Sequence, residues 1–347
     1  VGKKTEITIH DIARELNVSA STVSRALNNN PRISKITREK IQSKAIEMGY
    51  RPNVIASNLR SQKTNTIGVI VPRIDRHFFS TAISGIEDYA WANNLNIIFA
   101  QSNDLLEKEE ACVYSLFNKR VDGLIISISM ETVTDKHFKV LTDKNLPLVF
   151  FDRFCPTIES DRIVTDDFDS VYIATKHLAE QGCNKIAHIA GPEFLNIYAD
   201  RKAGYESALK DSNLECRKEY ILMNNLTRRD GEVSIKKLLS LPDPPDAILC
   251  GNDTTALSVL NFCKENNIKV PSDLALVGFS DEPFSAVTSP SITTVRQPGY
   301  QIGVESAKCI VRRINSPNEI FPFETTVLKS ELIIRESSVR LSVNSGH

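Results

Sequence analysis

Five residues in one short segment carry the first recognisable chemistry: Ala20, Ser21, Ser24, Arg25 and Asn28. At helical spacing they share one face, which is small and polar with a single guanidinium. Hydroxyl, amide and guanidinium groups match the donor and acceptor patterns of base edges, and only a face without bulk lets a helix enter a major groove. The plainer reading of the same pattern is a helical hairpin with a solvated second helix. A second set lies further along, at the ends of strand-like runs: Arg73 to Phe79 (RIDRHFF), Asp152-Arg153, Asp166-Asp167, Asn252-Asp253 and Ser280-Asp281, with Arg201 opening an RKAGY helix. Aromatic rings beside carboxylate, amide and guanidinium groups suit a polyhydroxyl or heterocyclic ligand, because the rings stack and the polar groups fix hydroxyls. Phe78 and Phe79 can equally be core residues, and Asp152, Arg153 and Asp253 can equally cap helices or form ion pairs.

Enzymatic and metal chemistry find little footing. There is no G-x-G-x-x-G after the first strand, no P-loop, no H-E-x-x-H and no G-x-S-x-G. The serine of GFSDE has no marked histidine partner. The seven cysteines are scattered and contain no C-x-x-C, and the six histidines lack metal-ligand spacing. No cofactor and no metal are expected, and thiols in this pattern fit a reducing compartment.

The elements that must position the first set are readable. TIHDIARELNVSASTVSRAL, Thr8 to Leu27, predicts a helix, a turn at Asn17-Val18 and a second helix. Thr8 caps the first, with Asp11 three residues on, and Ile12, Ala13 and Leu16 form its inner face. Ser19 caps the second, whose inner face is Val23, Ala26 and Leu27. Residues 34–49 predict a third helix, with Ser34 as cap, Ile41, Ala45 and Met48 as stripe, and Gly49 as stop. Pro52 blocks its continuation. Asn53 then opens a short segment, Val54 to Leu59, too short to be stable alone. Leu59, flanked by Ser57, Asn58 and Arg60, suits a wedge between base steps in a minor groove, or else packs on the following domain as part of a plain linker.

Charge separates the same segment from the rest. The chain holds 42 Lys and Arg against 43 Asp and Glu, yet residues 1–63 hold 12 against 5, leaving 30 against 38 beyond them. A basic head can neutralise phosphates, and an acidic body is repelled by them. At 347 residues there is room for more than one domain. VGKKTEITIH lacks the apolar segment of a secretory signal, and no run approaches a membrane span.

Residues beyond 65 predict an α/β body. Strand-like runs are Thr66–Val71, Asn96–Ala100, Gly123–Ser127 and Leu148–Phe151, then Lys185–Ala190, Ala247–Cys250 and Leu274–Phe279. Helices are predicted over Ser80–Asn93, Leu105–Asn118, Ser170–Gln181, Lys202–Ser212, Glu232–Leu241 and Thr254–Asn266. Apolar strands alternating with helices indicate two doubly wound parallel sheets. The halves change over near residues 152–165, and Val327–Arg335 is expected to return there as a strand. Facing halves enclose a cleft at the carboxyl ends of their strands, where ligands bind.

TIHDIARELNVSASTVSRALNNNPRIS, followed by TREKI, GYRPN, IASNLRS and TNTIGVIVP, resembles the lac repressor/gal repressor (LacI) family of bacterial transcription regulators, and the similarity runs to about residue 338. The resemblance implies an all-α helix-turn-helix DNA-binding head before a periplasmic-binding-protein-like core. It implies a cytoplasmic homodimer, without membrane attachment, that binds a near-palindromic operator in double-stranded DNA. Base and phosphate contacts are implied for Thr8, Ile9, His10, Ser19, Ala20, Ser21, Thr22, Ser24, Arg25, Asn28 and Asn53, with Ala56, Leu59 and Arg60 in a minor-groove hinge helix and Leu59 as the wedge. Phe78, Phe79, Asp152, Arg201, Asn252 and Gln297 match positions that line the family's effector pocket.

Arg153 and Asp281 join that set from their strand-end positions. Three departures weaken an unmodified hexose as effector: Ser280 in place of an Asp, no aromatic near Leu226, and Arg76-His77 in place of a common Asn-Pro.

The expected organisation is a head over 1–52, a hinge and linker over 53–65, a core over 66–340 and a disordered tail over 341–347. The expected function is a repressor governed by a small-molecule effector (a sugar, a sugar derivative or a nucleoside-like compound), not an enzyme. The runner-up is a small-molecule sensor without operator function, followed by an α/β-hydrolase-like enzyme. The polar tail lacks heptads, which favours a dimer over a coiled-coil tetramer.

Overall fold

The computed structural model describes residues 7–50, 63–316 and 322–340. The chain divides between Thr64 and Asn65 into two compact units.

The first unit holds three helices, α1 (Ile9–Leu16), α2 (Ala20–Leu27) and α3 (Lys35–Glu47). Local signals set each end. The Asp11 carboxylate accepts hydrogen bonds from the Thr8 N–H and hydroxyl, at 2.9 and 2.7 Å. Asn17 takes the left-handed conformation that closes α1. The Ser19 and Ser34 hydroxyls accept from Thr22 N and Thr37 N, at 3.1 and 3.3 Å. Eight-residue helices are not stable alone, so burial of Ile12, Val23, Ala26 and Ile41 in one shared core holds them.

The second unit contains two six-stranded sheets. The first runs β11-β5-β4-β3-β1-β2 and the second β12-β10-β9-β8-β6-β7. Their strands are β1 (Thr66–Val71), β2 (Asn96–Gln101), β3 (Gly123–Ile126), β4 (Leu148–Phe151), β5 (Asp161–Thr165), β6 (Ile186–Ala190), β7 (Ile221–Met223), β8 (Ala247–Cys250), β9 (Ala275–Phe279), β10 (Thr293–Arg296), β11 (Thr325–Leu328) and β12 (Glu331–Ile333). Every pairing is parallel except β10 with β12. The helices are α4 (His77–Ala92), α5 (Leu106–Asn118), α6 (Lys136–Thr142), α7 (Asp167–Glu180), α8 (Asn196–Asp211), α9 (Arg228–Leu239), α10 (Asp253–Glu265) and α11 (Gly299–Asn315). The central strands β1, β3, β4, β6, β8 and β9 are apolar runs buried almost throughout, because helices cover both faces.

The first changeover falls directly after residue 165, at the end of the expected stretch, since β5 still pairs with β4 in the first sheet. The strand reads DRIVT, and its polar ends hide it in the sequence; Asp161 is buried there because Arg313 grips it through two hydrogen bonds of 2.7 and 3.0 Å. The expected strand Val327–Arg335 is two strands, β11 in the first sheet and β12 in the second. The break falls where Ser330 N donates to Asp166 Oδ1 at 2.8 Å. Asp166 N donates in turn to Leu328 O at 3.1 Å, which ties two of the crossings together.

The remaining crossing follows β10 and leads into α11, which returns to pack on α4 over the first sheet. The helices touch at glycines. A Cβ on Gly303 would lie 2.0 Å from Ala82 O, and one on Gly85 2.1 Å from Tyr300 O, so both positions require Gly for close approach. The chain therefore passes three times between the lobes, and both lobes share one hinge.

Candidate functional site

In the first unit, the predicted outer face of α2 is outward. Ser21, Arg25 and Asn28 are exposed, and Ala20, Thr22 and Ser24 are half-buried. The Ser21 and Thr22 hydroxyls each lie 2.8 Å from the capping Ser19 hydroxyl, which fixes them at the start of the helix. Asn28 Nδ2 donates to Ser24 O at 2.8 Å. Arg25 has no hydrogen-bond or ion-pair partner among the described residues. Thr8 and His10 are exposed at the start of α1, whereas Ile9 and Ala20 also pack against the core of the unit. Asn53, Ala56, Leu59 and Arg60 lie outside the described residues, as do the short hinge segment from 54 to 59 and the tail after 340.

In the second unit, a polar cleft of about 640 Å³, counting its open mouth, lies between the lobes. Phe78 and Phe79, at the start of α4, line it and also belong to the first lobe's apolar core. Their rings meet edge to face at 5.1 Å.

Asp152 and Arg153 follow β4. Asp152 adopts a left-handed conformation (φ 59°), which turns it out of the strand direction. Its carboxylate receives the Ser127 hydroxyl at 3.3 Å, and burial pushes it up to about 6. Arg153 donates to Asp104 Oδ1 at 2.6 Å and to Ile128 O at 3.3 Å.

Arg201, on α8, is bound between Asp167 Oδ1 (2.6 Å) and Gly251 O (3.1 Å), and its guanidinium lies 3.6 Å from the Phe279 ring centre. Asn252 caps α10 by accepting from Thr255 N at 2.8 Å, and its Nδ2 donates to Leu226 O at 3.0 Å. Gln297 accepts the Ser280 hydroxyl at 3.2 Å. Thus Phe78, Phe79, Asp152, Arg153, Arg201, Asn252 and Gln297 converge on one cleft.

Asp281 does not. It turns away at φ 47°, and its two oxygens accept from Arg296 Nε at 2.7 Å and from an Arg335 guanidinium nitrogen at 2.6 Å. Two guanidiniums hold it on the second lobe, so it does not replace the Asp that Ser280 supplants. Asp166 and Asp167 are likewise engaged, the first at the hinge and the second with Arg201.

Several residues in or beside the cleft escaped the sequence reading. Asn196, first residue of α8, accepts from Phe154 N at 3.2 Å and donates to Asp152 O at 2.9 Å, bridging the lobes. Tyr198, Thr254 and Glu282 line the cleft. They sit at helix starts, where no apolar periodicity marks them. Among the described residues no group of three or more His, Cys, Asp or Glu side chains is arranged to hold a metal, and no helix is long and apolar enough to cross a membrane.

Known proteins share both units. Residues 8–53 match the "Bacterial regulatory proteins, lacI family" and residues 175–338 match a "Periplasmic binding protein-like domain". Catabolite control protein A of Priestia megaterium is 34% identical, over 89% of this chain and 93% of its own. The HTH-type transcriptional repressor CytR of Escherichia coli (strain K12) is 31% identical over 97% of each. In fold, a lac repressor dimer bound to operator and the anti-inducer ONPF matches with a TM-score of 0.84 at 24% identity, covering 97% of this chain and 100% of that one. A head of three helices with an outward polar face, a two-lobed core with a polar cleft, and relatives matched along nearly their whole length place this chain in the lacI family of bacterial regulatory proteins.

Proposed function

We propose that this protein is a transcriptional repressor that binds a near-palindromic operator as a homodimer and is controlled by a small-molecule effector in the interlobe cleft. The carrying observation is the outer face of α2, with exposed Ser21, Arg25 and Asn28, in a chain that also carries a polar two-lobed cleft. Residues 1–52 form the reading head, residues 53–65 the hinge with Leu59 as wedge, and residues 66–340 the receptor and dimerisation core. Relatives similar in sequence are named a catabolite control protein and a transcriptional repressor, and on this reading the protein acts in the cytoplasm without catalysing a reaction.

One head spans too few base pairs to select a genomic site, so two must be held at fixed spacing. The core supplies that spacing. An effector that changes the angle between lobes joined by three crossings moves the hinges together or apart. Coupling of about 1–3 kcal/mol is enough for a useful switch.

Selection from a random duplex library with the full chain tests this. The expected result is enrichment of a two-fold symmetric site whose affinity falls steeply with salt. Enrichment of nothing, or of an asymmetric single site, contradicts the operator reading, and ligand binding without DNA affinity points to a plain sensor.

Effector binding has an expected pH dependence. Burial raises the Asp152 carboxyl from 3.8 to about 6. The folded protein therefore holds this proton more tightly than the unfolded chain. The stability contributed by Asp152 is full below about pH 4 and is lost as pH rises toward 6. Ligand hydroxyls donate to the ionised form, so affinity runs the other way. For an effector identified by thermal shift, calorimetry is expected to show several-fold weaker binding at pH 5 than at pH 7.5. Asp152→Asn removes that difference; a difference of equal size in the variant would assign the titration elsewhere.

A further inference from the structure

The charges around the cleft are paired unevenly. Arg153 holds Asp104, Arg201 holds Asp167, and Arg73 holds both oxygens of Asp75. The Asp253 carboxylate accepts from the Thr294 hydroxyl (2.7 Å), the Ser285 hydroxyl (2.9 Å) and Glu282 N (2.7 Å). Glu282 accepts His77 N at 3.1 Å. Arg76 alone among the four cleft arginines lacks a carboxylate within ion-pair distance among the described residues. Its guanidinium crosses the cleft from the start of α4 and hydrogen-bonds the neutral hydroxyl of Thr254, in the first turn of α10.

That placement is electrostatically unusual. Arg76 is the N-cap of a 16-residue helix and reaches the first turn of a 13-residue one. Helix N-termini carry partial positive charge and favour anions. A cation held between two such ends, with a hydroxyl as its hydrogen-bond partner and Asp75 acting on it only from beyond ion-pair distance, favours the arrival of an anion. A second, independent feature points the same way. Arg153 is 7% exposed and lines the cleft, and its Nε lies 3.8 Å from the Asp152 carboxylate without a hydrogen bond, so this buried pair has a hydrogen-bonding vacancy beside the same cavity. Arg76 is thus the cleft guanidinium with donor capacity in reserve.

We propose that the effector is a hydroxyl-bearing molecule with an anionic group, a phosphate or a carboxylate, and that Arg76 with the first turn of α10 receives that group. The idea rests on the reading of the cleft as an effector site. Asp152 and Gln297 are left to take hydroxyls, and the anion bridges the lobes at the place where Arg76 now meets Thr254, so its arrival bears directly on the interlobe angle.

Calorimetry of the full chain with matched sets tests this: glucose, fructose and ribose, each beside its phosphate esters and its sugar acids, with inorganic phosphate as a minimal probe. A phosphorylated or acidic member is expected to bind at least tenfold tighter than its neutral parent, and the better of the two arms identifies the anion. Arg76→Gln erases the preference, and Arg76→Lys, which keeps the charge, retains part of it. A tightest ligand that is neutral, a preference unchanged in Arg76→Gln, or no binder in any set overturns the proposal. Operator binding measured alongside separates the two ideas. A neutral sugar that binds and shifts operator affinity refutes the anion while sparing the regulator. An anionic ligand that binds without any operator being recognised refutes the regulator while sparing the anion.

Discussion

Replacing Arg201 with Met is expected to lower the unfolding free energy of the core by about 3–5 kcal/mol, measured by urea denaturation. Arg201 and Asp167 are each 3% exposed, and Nε lies 2.6 Å from Oδ1. The carboxylate keeps only the Thr165 hydroxyl, at 3.0 Å, once the guanidinium is gone. Burial already pushes the Asp167 carboxyl up, with Arg201 opposing that shift. Removing the arginine therefore leaves an uncompensated buried charge. The double variant Arg201→Met with Asp167→Leu is expected to recover most of the loss, because a buried pair replaced by apolar groups is often neutral. The deficit of the single variant is also expected to shrink as pH falls, since a protonated Asp167 needs no cation. A single variant within 1 kcal/mol of the parent would show that Phe279 stacking and the Gly251 carbonyl, not the ion pair, decide the role of Arg201.

The head was legible because its signals are local. Thr8, Ser19 and Ser34 cap the helices, Asn17 turns the chain, and Ile12, Val23 and Ile41 recur at helical spacing. The central strands were legible as apolar runs. What stayed hidden depends on distant partners. β5 is polar at both ends and needs Arg313 to bury Asp161. β10 was hidden in a segment with little apolar pattern, and α11 carries two glycines whose reason is α4.

Four helices are also predicted to begin one to two turns too late: α4, α7, α8 and α9 start at His77, Asp167, Asn196 and Arg228, not at Ser80, Ser170, Lys202 and Glu232. Hydrophobic periodicity cannot mark a first turn whose residues serve a cleft or a hinge. Phe78, Phe79, Asn196 and Asp167 all fall in such turns. The strand-end rule reached Phe78, Phe79, Asp152, Arg153 and Asn252, whereas Gln297 came only from the family resemblance and Arg201 from that resemblance and its place at a helix start; the rule failed at Asp281, because the backbone turn at Ser280-Asp281 and the pull of Arg296 and Arg335 are invisible in one sequence.

Arg25→Ala is expected to weaken specific operator binding by about 1–3 kcal/mol while leaving random-duplex binding nearly unchanged. Arg25 stands exposed on the polar face of α2, without a protein partner among the described residues, whereas Val23 and Ala26 on the opposite face hold the fold. Its truncation therefore spares the head's core, and an unchanged thermal melt of the full chain checks that. The neighbouring Ser21 is small enough to let the helix approach base edges, so a guanidinium one turn later can reach a base and not only a phosphate. The two possibilities differ in salt dependence. Loss of a base contact removes affinity for the preferred sequence and leaves the slope against salt almost intact. Loss of a phosphate contact weakens all duplexes alike and reduces the slope by about one. Equal loss on operator and random DNA would assign Arg25 to the backbone and leave base reading to Ser21, Ser24 and Asn28.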